Sequence, residues 1–213
     1  MELSHQPNRF QKMSRKIRRA VLRDEPGYYD MYENPGERYF ARLYLDSIQK
    51  VLSQAPSSLQ ILDAGCQTGR LSIPLAKAGH SVTGVDTSGL ALHRAKRHAG
   101  QAGVSLKLVR ANLRRWLPAQ PEGSFDAVVC TEVLYLRNNH QELLRGLIRV
   151  LRPGGFLFVS HRPTGYYLAE AFQHRDWAGV QQLLQAKEGI ILGSYYNWQD
   201  VSDLETEYPQ MGV

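Results

Sequence analysis

The sequence predicts an α/β domain with a doubly wound, mostly parallel sheet that carries helices on both faces. Two observations support this prediction. Short apolar runs alternate with segments of helical periodicity, and a glycine-rich turn connects the first apolar run of this pattern to the helix that follows it. Such alternation requires right-handed crossovers and therefore favours parallel strands. The chain of 213 residues has room for one domain of this kind with a substantial core.

The chain opens with a basic arm, which we place at residues 1–27. Residues 1–23 hold seven basic residues and one acidic residue, so they account for the whole formal net charge of +6. Such an arm can bind nucleic acid or acidic headgroups, but it can also be a solvated lead-in without a partner. It lacks the interleaved aromatic residues that stack on bases, which favours the second interpretation.

The predicted domain covers residues 28–213, with its core at 59–163. From Pro35 onward, Phe40, Leu43, Tyr44, Ile48 and Leu52 recur at helical spacing and predict a helix packed beside the sheet. The strands that follow are predicted near Gln60, near Ser81, and at 106–110, 126–130 and 156–160. The intervening helices are predicted from Gly69, at 90–102 and at 140–151. Further on, the pattern predicts a helix over 166–186, a strand-like run over 190–196 and a helix that starts at 197–200.

The glycine-rich turn and a following acid predict a nucleoside site. The run from Leu62 to Arg70 places glycines between a strand and a helix, where the backbone can approach a ligand closely. Asp86 ends the next apolar run and follows Gly69 by 17 residues, near the offset of a carboxylate that binds ribose hydroxyls. Gln67 and Arg70 stand where a dinucleotide fingerprint has glycine, which disfavours nicotinamide or flavin binding.

These residues resemble the class I S-adenosylmethionine-dependent methyltransferases over about residues 59–163. The resemblance is carried by the first motif at 62–69, by Asp86, by Ala111-Asn112-Leu113, and by the segments 125–135 and 150–157. It implies a Rossmann-like fold, S-adenosyl-L-methionine as the cofactor, and transfer of a methyl group to the oxygen, nitrogen or carbon of a small-molecule acceptor. The first motif is most similar to that of members that methylate quinone precursors and porphyrin intermediates.

The resemblance also implies the site residues. Those expected to bind the cofactor are Asp63, Gly65, Cys66, Gln67, Gly69, Asp86, Thr87, Asn112, Leu113 and Thr131. Separately from the resemblance, the residues near the strand ends that could act as a general base are Glu132, Tyr135, His140 and His161. Of these we assign catalytic roles to His161, which follows the fifth strand, and to Tyr135. The acceptor pocket is assigned to Tyr29, Tyr32, Tyr135 and Tyr166. Two positions depart from the family pattern. Gln67 replaces a glycine, and Asn112 replaces an acid beside the adenine. The amide oxygen of Asn112 can still accept a hydrogen bond from the adenine amino group.

Two other functions remain open from the sequence. In one, the basic arm docks RNA or a protein as the methyl acceptor; in the other, the domain binds the cofactor without catalysis. The seven histidines and two cysteines show no ligand spacing, so no metal is expected, and Cys66 and Cys130 are interpreted as reduced core residues. No apolar run of membrane-spanning length and no signal-peptide centre is found, which predicts a cytoplasmic protein.

The C-terminal region lacks an obvious match to the antiparallel hairpin with which family members usually cover the last parallel strand. We therefore expect this hairpin to be missing or incomplete. The sequence leaves open whether the chain is truncated or whether another element or a second subunit, as in a homodimer, covers the exposed edge.

Overall fold

The computed structural model describes residues 30–55 and 58–213, so the basic arm and Tyr29 lie outside the described residues. The strands are β1 Gln60–Ala64, β2 Ser81–Asp86, β3 Lys107–Arg110, β4 Phe125–Cys130, β5 Leu151–Val159, β6 Glu188–Ile191 and β7 Ser194–Asn197. The helices are α1 Pro35–Leu52, α2 Ser72–Lys77, α3 Gly89–Gln101, α4 Leu113–Trp116, α5 His140–Val150, α6 Thr164–Gln173, α7 Trp177–Gln185 and α8 Val201–Gln210. Short 3₁₀ turns lie at Leu117–Ala119 and Leu134–Leu136.

The first five strands form one parallel sheet in the order β3-β2-β1-β4-β5. The chain builds outward from β1 to β3, then returns to the centre and adds β4 and β5 on the other side. This confirms the predicted doubly wound α/β sheet. The strand order reverses between β1 and β4, and in open sheets of this type ligands bind beyond the carboxyl ends of the strands at such a point.

Side chains of the central strands alternate between two apolar layers, one on each face of the sheet. In β1, Ile61 packs with residues of α1 and α2, whereas Leu62 packs with residues of α5. In β4, Val129 packs in the same layer as Ile61, and Val128 packs in the same layer as Leu62. All four side chains are fully buried. Burial on both faces explains why these strands appear in the sequence as continuous apolar runs.

Helix α1 begins where the sequence predicts. The Asn34 side chain accepts the N–H of Glu37 at 3.1 Å, and Pro35 takes the first helical position, where a proline costs no hydrogen bond. The buried face is centred on Ala41 and Ile48. Phe40 and Leu43, which we expected on that face, are 54% and 47% exposed because they lie on its flank.

The single helix predicted over 166–186 is wrong, because the chain forms α6 and α7 with a break between them. Arg175 has a φ of 57°, which ends α6, and the Asp176 side chain caps α7 by accepting the N–H of Gly179 at 2.9 Å. The second oxygen of Asp176 accepts the N–H of Leu192 at 2.7 Å. The break therefore turns α7 back toward the following hairpin.

The expectation that the antiparallel hairpin is missing is also wrong. Strands β6 and β7 pair antiparallel, with Glu188 opposite Asn197 and Ile191 opposite Ser194. The connecting residues Leu192 and Gly193 have φ values of 51° and 77°, and two consecutive positive values are typical of a type I′ turn. Leucine is unusual at the first of these positions, and for this reason the sequence predicts one continuous strand-like run over 190–196 in place of a hairpin.

The hairpin forms its own two-stranded sheet and does not extend the main one, so no strand within residues 30–55 and 58–213 pairs with the outer edge of β5. A third apolar cluster holds the hairpin in place. It contains Trp198 and Tyr167, both nearly inaccessible, together with Tyr135 from the turn after β4. The C-terminal elements are thereby fixed beside the carboxyl end of β4.

Replacing Leu192 with asparagine is expected to stabilise the protein by about 1 kcal/mol, because asparagine tolerates the left-handed backbone better than leucine does. Urea denaturation followed by circular dichroism measures this change. Leu184→Asn, at a helical position where the side chain is 72% exposed, is the control and should give no gain. Equal effects at both positions would contradict the turn assignment.

Candidate functional site

The glycine-rich turn between β1 and α2 depends on backbone conformations that favour glycine. Gly65 and Gly69 have φ values of 93° and 88°. A Cβ atom at Gly65 would lie 2.4 Å from Cγ2 of Val133, so the position has no room for a side chain. The N–H groups of Gly65 and Cys66 donate to the carbonyl oxygen of Val85 at 2.8 and 3.2 Å, which joins the turn to β2.

The carboxylate of Asp86 holds the turn against the end of β2. Its Oδ2 accepts the N–H of Gln67 at 3.0 Å, and its Oδ1 accepts the N–H of Ser88 at 2.7 Å. Gln67 has a φ of 44°, and its own Oε1 accepts the N–H of Thr68 at 2.8 Å, so the amide group folds back onto the turn. A carboxylate offers about four acceptor positions, and Asp86 therefore keeps capacity for two further donors.

A cavity of about 820 Å³ lies over the turn, at the carboxyl ends of β1 to β4. The structure brings nine of the ten expected cofactor residues to its wall: Asp63, Gly65, Cys66, Gln67, Asp86, Thr87, Asn112, Leu113 and Thr131. The tenth, Gly69, supports the turn, since a Cβ atom there would lie 3.1 Å from Cδ1 of Ile73. Residues far apart in the sequence therefore meet at one site.

Asp63 fastens α2 to the end of β1. The side chain is buried, and its Oδ2 accepts the hydroxyl of Ser72 at 2.5 Å. Burial raises the pKa of Asp63 to about 6, although the Ser72 hydrogen bond and the charge of Arg70 act in the opposite direction. Asp63 thus supports the turn from below while it also lines the cavity.

Asn112 occupies the cap of the short helix α4. Its Oδ1 accepts the N–H of Arg114 at 3.0 Å, which fixes the chain direction after β3. The amide oxygen, which we expected beside an adenine, therefore has a helix-capping role, and it keeps one further acceptor position. Leu113 follows directly on the cavity wall.

His161, the expected general base, does not line the cavity. Its Nδ1 lies 2.7 Å from Oε1 of Gln199, and its Nε2 lies 2.6 Å from the hydroxyl of Tyr208 in α8. Burial lowers the pKa of His161. Because both ring nitrogens are engaged by C-terminal residues, its position does not favour a role in proton removal at the cavity.

The described tyrosines that we expected around an acceptor, Tyr32, Tyr135 and Tyr166, do not line the cavity either. Tyr135 is buried beside it, the Tyr32 ring stacks on His98 with 4.6 Å between ring centroids, and Tyr166 lies against the guanidinium of Arg162 at 4.6 Å. Tyr29 lies outside the described residues.

Glu132 is the centre of a hydrogen-bond cluster that sequence reasoning missed. Its Oε1 accepts the hydroxyls of Tyr44 at 2.7 Å and Ser160 at 3.3 Å, and its Oε2 accepts the hydroxyl of Tyr135 at 2.5 Å and Nη2 of Arg162 at 2.7 Å. Burial raises the pKa of Glu132, but these hydrogen bonds lower it on balance. With its acceptor positions filled, Glu132 joins α1 to the ends of β4 and β5 and is poorly placed to take a proton.

The β6–β7 hairpin supplies a second wall of the cavity, which sequence reasoning also missed. Glu188 and Tyr195 line it, and the Tyr195 hydroxyl donates to Oε2 of Glu188 at 2.5 Å. The buried Asn197 anchors the hairpin by donating from Nδ2 to the carbonyl oxygens of Leu134 at 2.9 Å and Arg137 at 2.7 Å. The loop from 136 to 139 completes this wall.

Sequence comparison agrees with this geometry. Residues 61–155 match the family described as the methyltransferase domain. The chain is similar to a ubiquinone biosynthesis O-methyltransferase from Ralstonia nicotianae, with 37% identity over 129 residues, which is 59% of this chain and 52% of that protein. It is also similar to the protein of the same name from Dechloromonas aromatica, with 34% identity over 60% of this chain and 55% of that protein. The chain thus spans about half the length of these relatives.

Two solved structures show a similar fold. A SAM-dependent methyltransferase from Methanosarcina mazei has a TM-score of 0.62 and 19% identity, over 76% of this chain and 82% of that chain. The magnesium protoporphyrin IX methyltransferase of Synechocystis, solved with bound SAH, has a TM-score of 0.61 and 20% identity, over 91% of this chain and 81% of that chain. At these identities the likeness concerns the fold.

Most of the parallel sheet and the glycine-rich turn with its acid at the end of β2 thus lie within the part of the chain, residues 61–155, that matches the methyltransferase domain. Across the part of the chain that the structure covers, none of the helices combines the length and the apolar character that crossing a bilayer requires.

Gly65→Ala is expected to lower the free energy of unfolding by about 2 kcal/mol or more, because the new methyl group meets Val133 and the backbone has a positive φ. Gly79→Ala is the matched control, since its φ is 95° and no atom lies within 4 Å of the added Cβ. Urea denaturation compares the two. Adding Val133→Ala to Gly65→Ala should restore part of the lost free energy of unfolding, whereas adding it to Gly79→Ala should restore none. A lack of recovery at Gly65 would contradict the clash with Val133.

Asp63→Asn is expected to change how stability depends on pH. With a folded pKa of about 6, above the ordinary value, the protonated Asp63 favours the folded state at low pH, and this contribution is lost as pH rises from about 4 to 6. The wild-type protein should therefore lose roughly 1 kcal/mol per pH unit relative to the variant over this window. Denaturation at several pH values measures the difference, and a difference independent of pH would contradict a raised pKa.

Proposed function

We propose that this chain is a methyltransferase that uses S-adenosyl-L-methionine and acts on a small-molecule acceptor. The observation that carries the proposal is the position of Asp86. Its carboxylate lines the cavity, is fixed by the N–H groups of Gln67 and Ser88, and keeps two acceptor positions, which suits the two hydroxyls of a ribose.

The other residues of the wall fit the same cofactor. Gly65 leaves an open cradle in which only a glycine has room, and the Asn112–Leu113 pair flanks the neighbouring strand end as a frame for an adenine. The volume of about 820 Å³ lies in the upper part of the range of roughly 300 to 1,000 Å³ for small-molecule sites, which leaves space for an acceptor beside the cofactor. When bound, the cofactor supplies an activated methyl group on a positively charged sulfur.

The protein's own contribution is mainly positioning, which can supply several kcal/mol of the barrier reduction. Asp86 and the turn hold one end of the site, and the hairpin wall faces it with Glu188 and Tyr195. Following the names of the curated relatives, we assign the acceptor atom to a hydroxyl oxygen. Glu188 accepts a single hydrogen bond from the described residues, from Tyr195, and it is the carboxylate we assign to receive the acceptor's proton.

The basic arm lies outside the described residues, so docking of RNA or protein through it is supported by its charge alone. A homodimer and a cytoplasmic location likewise rest on the sequence.

Calorimetric titration with S-adenosylhomocysteine tests the proposal. Wild-type protein should bind it in the micromolar range, and Asp86→Ala should weaken the affinity at least tenfold, because hydrogen bonds to a charged group contribute about 1.5 kcal/mol or more. Asp46→Ala, which removes an exposed carboxylate from α1, is the control and should bind as tightly as wild type. A folded wild-type sample that does not bind, or an Asp86→Ala variant with unchanged affinity, would refute the proposed site.

A further inference from the structure

The segment from Asp30 to Asn34, which precedes α1, lies against the glycine-rich turn. Met31 lines the cavity, and the N–H of Tyr32 donates to Oγ1 of Thr68 at 3.0 Å. Thr68 is fully buried and stands between Gln67 and Gly69 in the turn. Met31, which precedes the matched domain, therefore forms part of the cavity wall, and the next residue, Tyr32, is hydrogen-bonded to the turn.

The buried carboxylate of Asp30 holds this segment in place. Its Oδ2 lies 3.0 Å from Nε2 of His98 and 3.6 Å from Nη1 of Arg94, both in α3. Its Oδ1 accepts the N–H of Tyr32 at 3.0 Å, and the carboxylate also accepts the hydroxyl of Thr68. Asp30 and His98 are 7% and 1% exposed, so these contacts are shielded from water.

The charges around Asp30 indicate an internal anion with protein partners. Burial raises the pKa of Asp30, but the hydrogen bonds from His98, Thr68 and Tyr32 lower it on balance, which keeps the side chain ionised. Possible metal-ligating atoms of Asp30, Glu33 and His98 lie within 4.8 Å of one another. However, Arg94 and Arg97 approach the two carboxylates at 3.6 and 3.7 Å, so positive charge is already supplied there.

We propose that Asp30 is a positioning residue for the cofactor: by binding His98 and Thr68 together, it holds Met31 on the cavity wall and fixes the glycine-rich turn. The inference rests on the proposed function. The flexible apolar side chain of Met31 suits a cover that adapts to a ligand and excludes water from it. The Asp30 carboxylate is the acceptor that Thr68 of the turn, His98 of α3 and Tyr32 share. Without it, these three donors are no longer held together.

Titration of Asp30→Asn with S-adenosylhomocysteine tests this role. We expect affinity to fall at least tenfold, because the charge that gathers the three donors is lost. Glu33→Gln is the matched control: Glu33 lies 3.7 Å from Nδ1 of the same His98, but it is 61% exposed, and the change should alter affinity less than twofold. Hydrogen exchange supplies a second readout, in which ligand should protect the Tyr32 amide in wild type and not in Asp30→Asn.

A further pair of variants separates positioning from general destabilisation. Met31 is partly exposed, so Met31→Ala should leave the melting temperature of the free protein nearly unchanged while it weakens S-adenosylhomocysteine binding about three- to tenfold. Met31→Leu should restore the affinity. If Asp30→Asn folds and its affinity for S-adenosylhomocysteine is unchanged, the inference is overturned. If Asp30→Asn does not fold, an unchanged affinity in Met31→Ala overturns it. Absence of binding by the wild-type protein refutes the proposed function instead.

Discussion

The site depends on one interaction, the hydrogen bonding of the Asp86 carboxylate to the backbone of the turn that follows β1. Parallel neighbours in a sheet end at the same edge, so an acid at the end of β2 lies beside the turn that leaves β1. By accepting the N–H of Gln67, Asp86 stabilises a positive φ at a residue that has a side chain. The same carboxylate keeps acceptor positions that point to a ligand role. Under the proposed function, one side chain would therefore both support the turn and recognise the ligand. The Gln67 amide folds back onto the turn, so a side chain at this position is compatible with an open cavity.

The two halves of the fold have different tasks. The strand ends of β1 to β3 form a wall whose shape is set by backbone hydrogen bonds and glycines. The wall that faces it comes from the loop after β4 and from the hairpin, which is held by its own aromatic cluster around Trp198. Glu132 links these parts, because it binds Tyr44 of α1, Tyr135 of the 3₁₀ turn and Arg162 after β5. The wall proposed to bind the nucleoside is thus assembled locally, whereas the wall proposed to bind the acceptor depends on contacts between distant segments.

This difference explains which parts of the fold and of the candidate site could be predicted from the sequence. The parallel sheet and the residues of the first wall are encoded by short local patterns, and the structure places them together. The hairpin was not predicted because Leu192 occupies the position where a type I′ turn usually has asparagine. The base was assigned to His161 from its position after a strand, but its partners Gln199 and Tyr208 lie 38 and 47 residues further along the chain. The Glu132 cluster gives no recognisable sequence pattern, because Tyr44, Ser160 and Arg162 lie 28 to 88 residues away from Glu132 in the chain.

The most direct test is a crystal structure of this protein with S-adenosylhomocysteine. Both ribose hydroxyls should lie within hydrogen-bond distance of the Asp86 carboxylate, with the ligand in the cavity over Gly65 and no large shift of the turn. A nucleoside bound elsewhere, or an Asp86 side chain rotated away from a ligand in this cavity, would contradict the assignment.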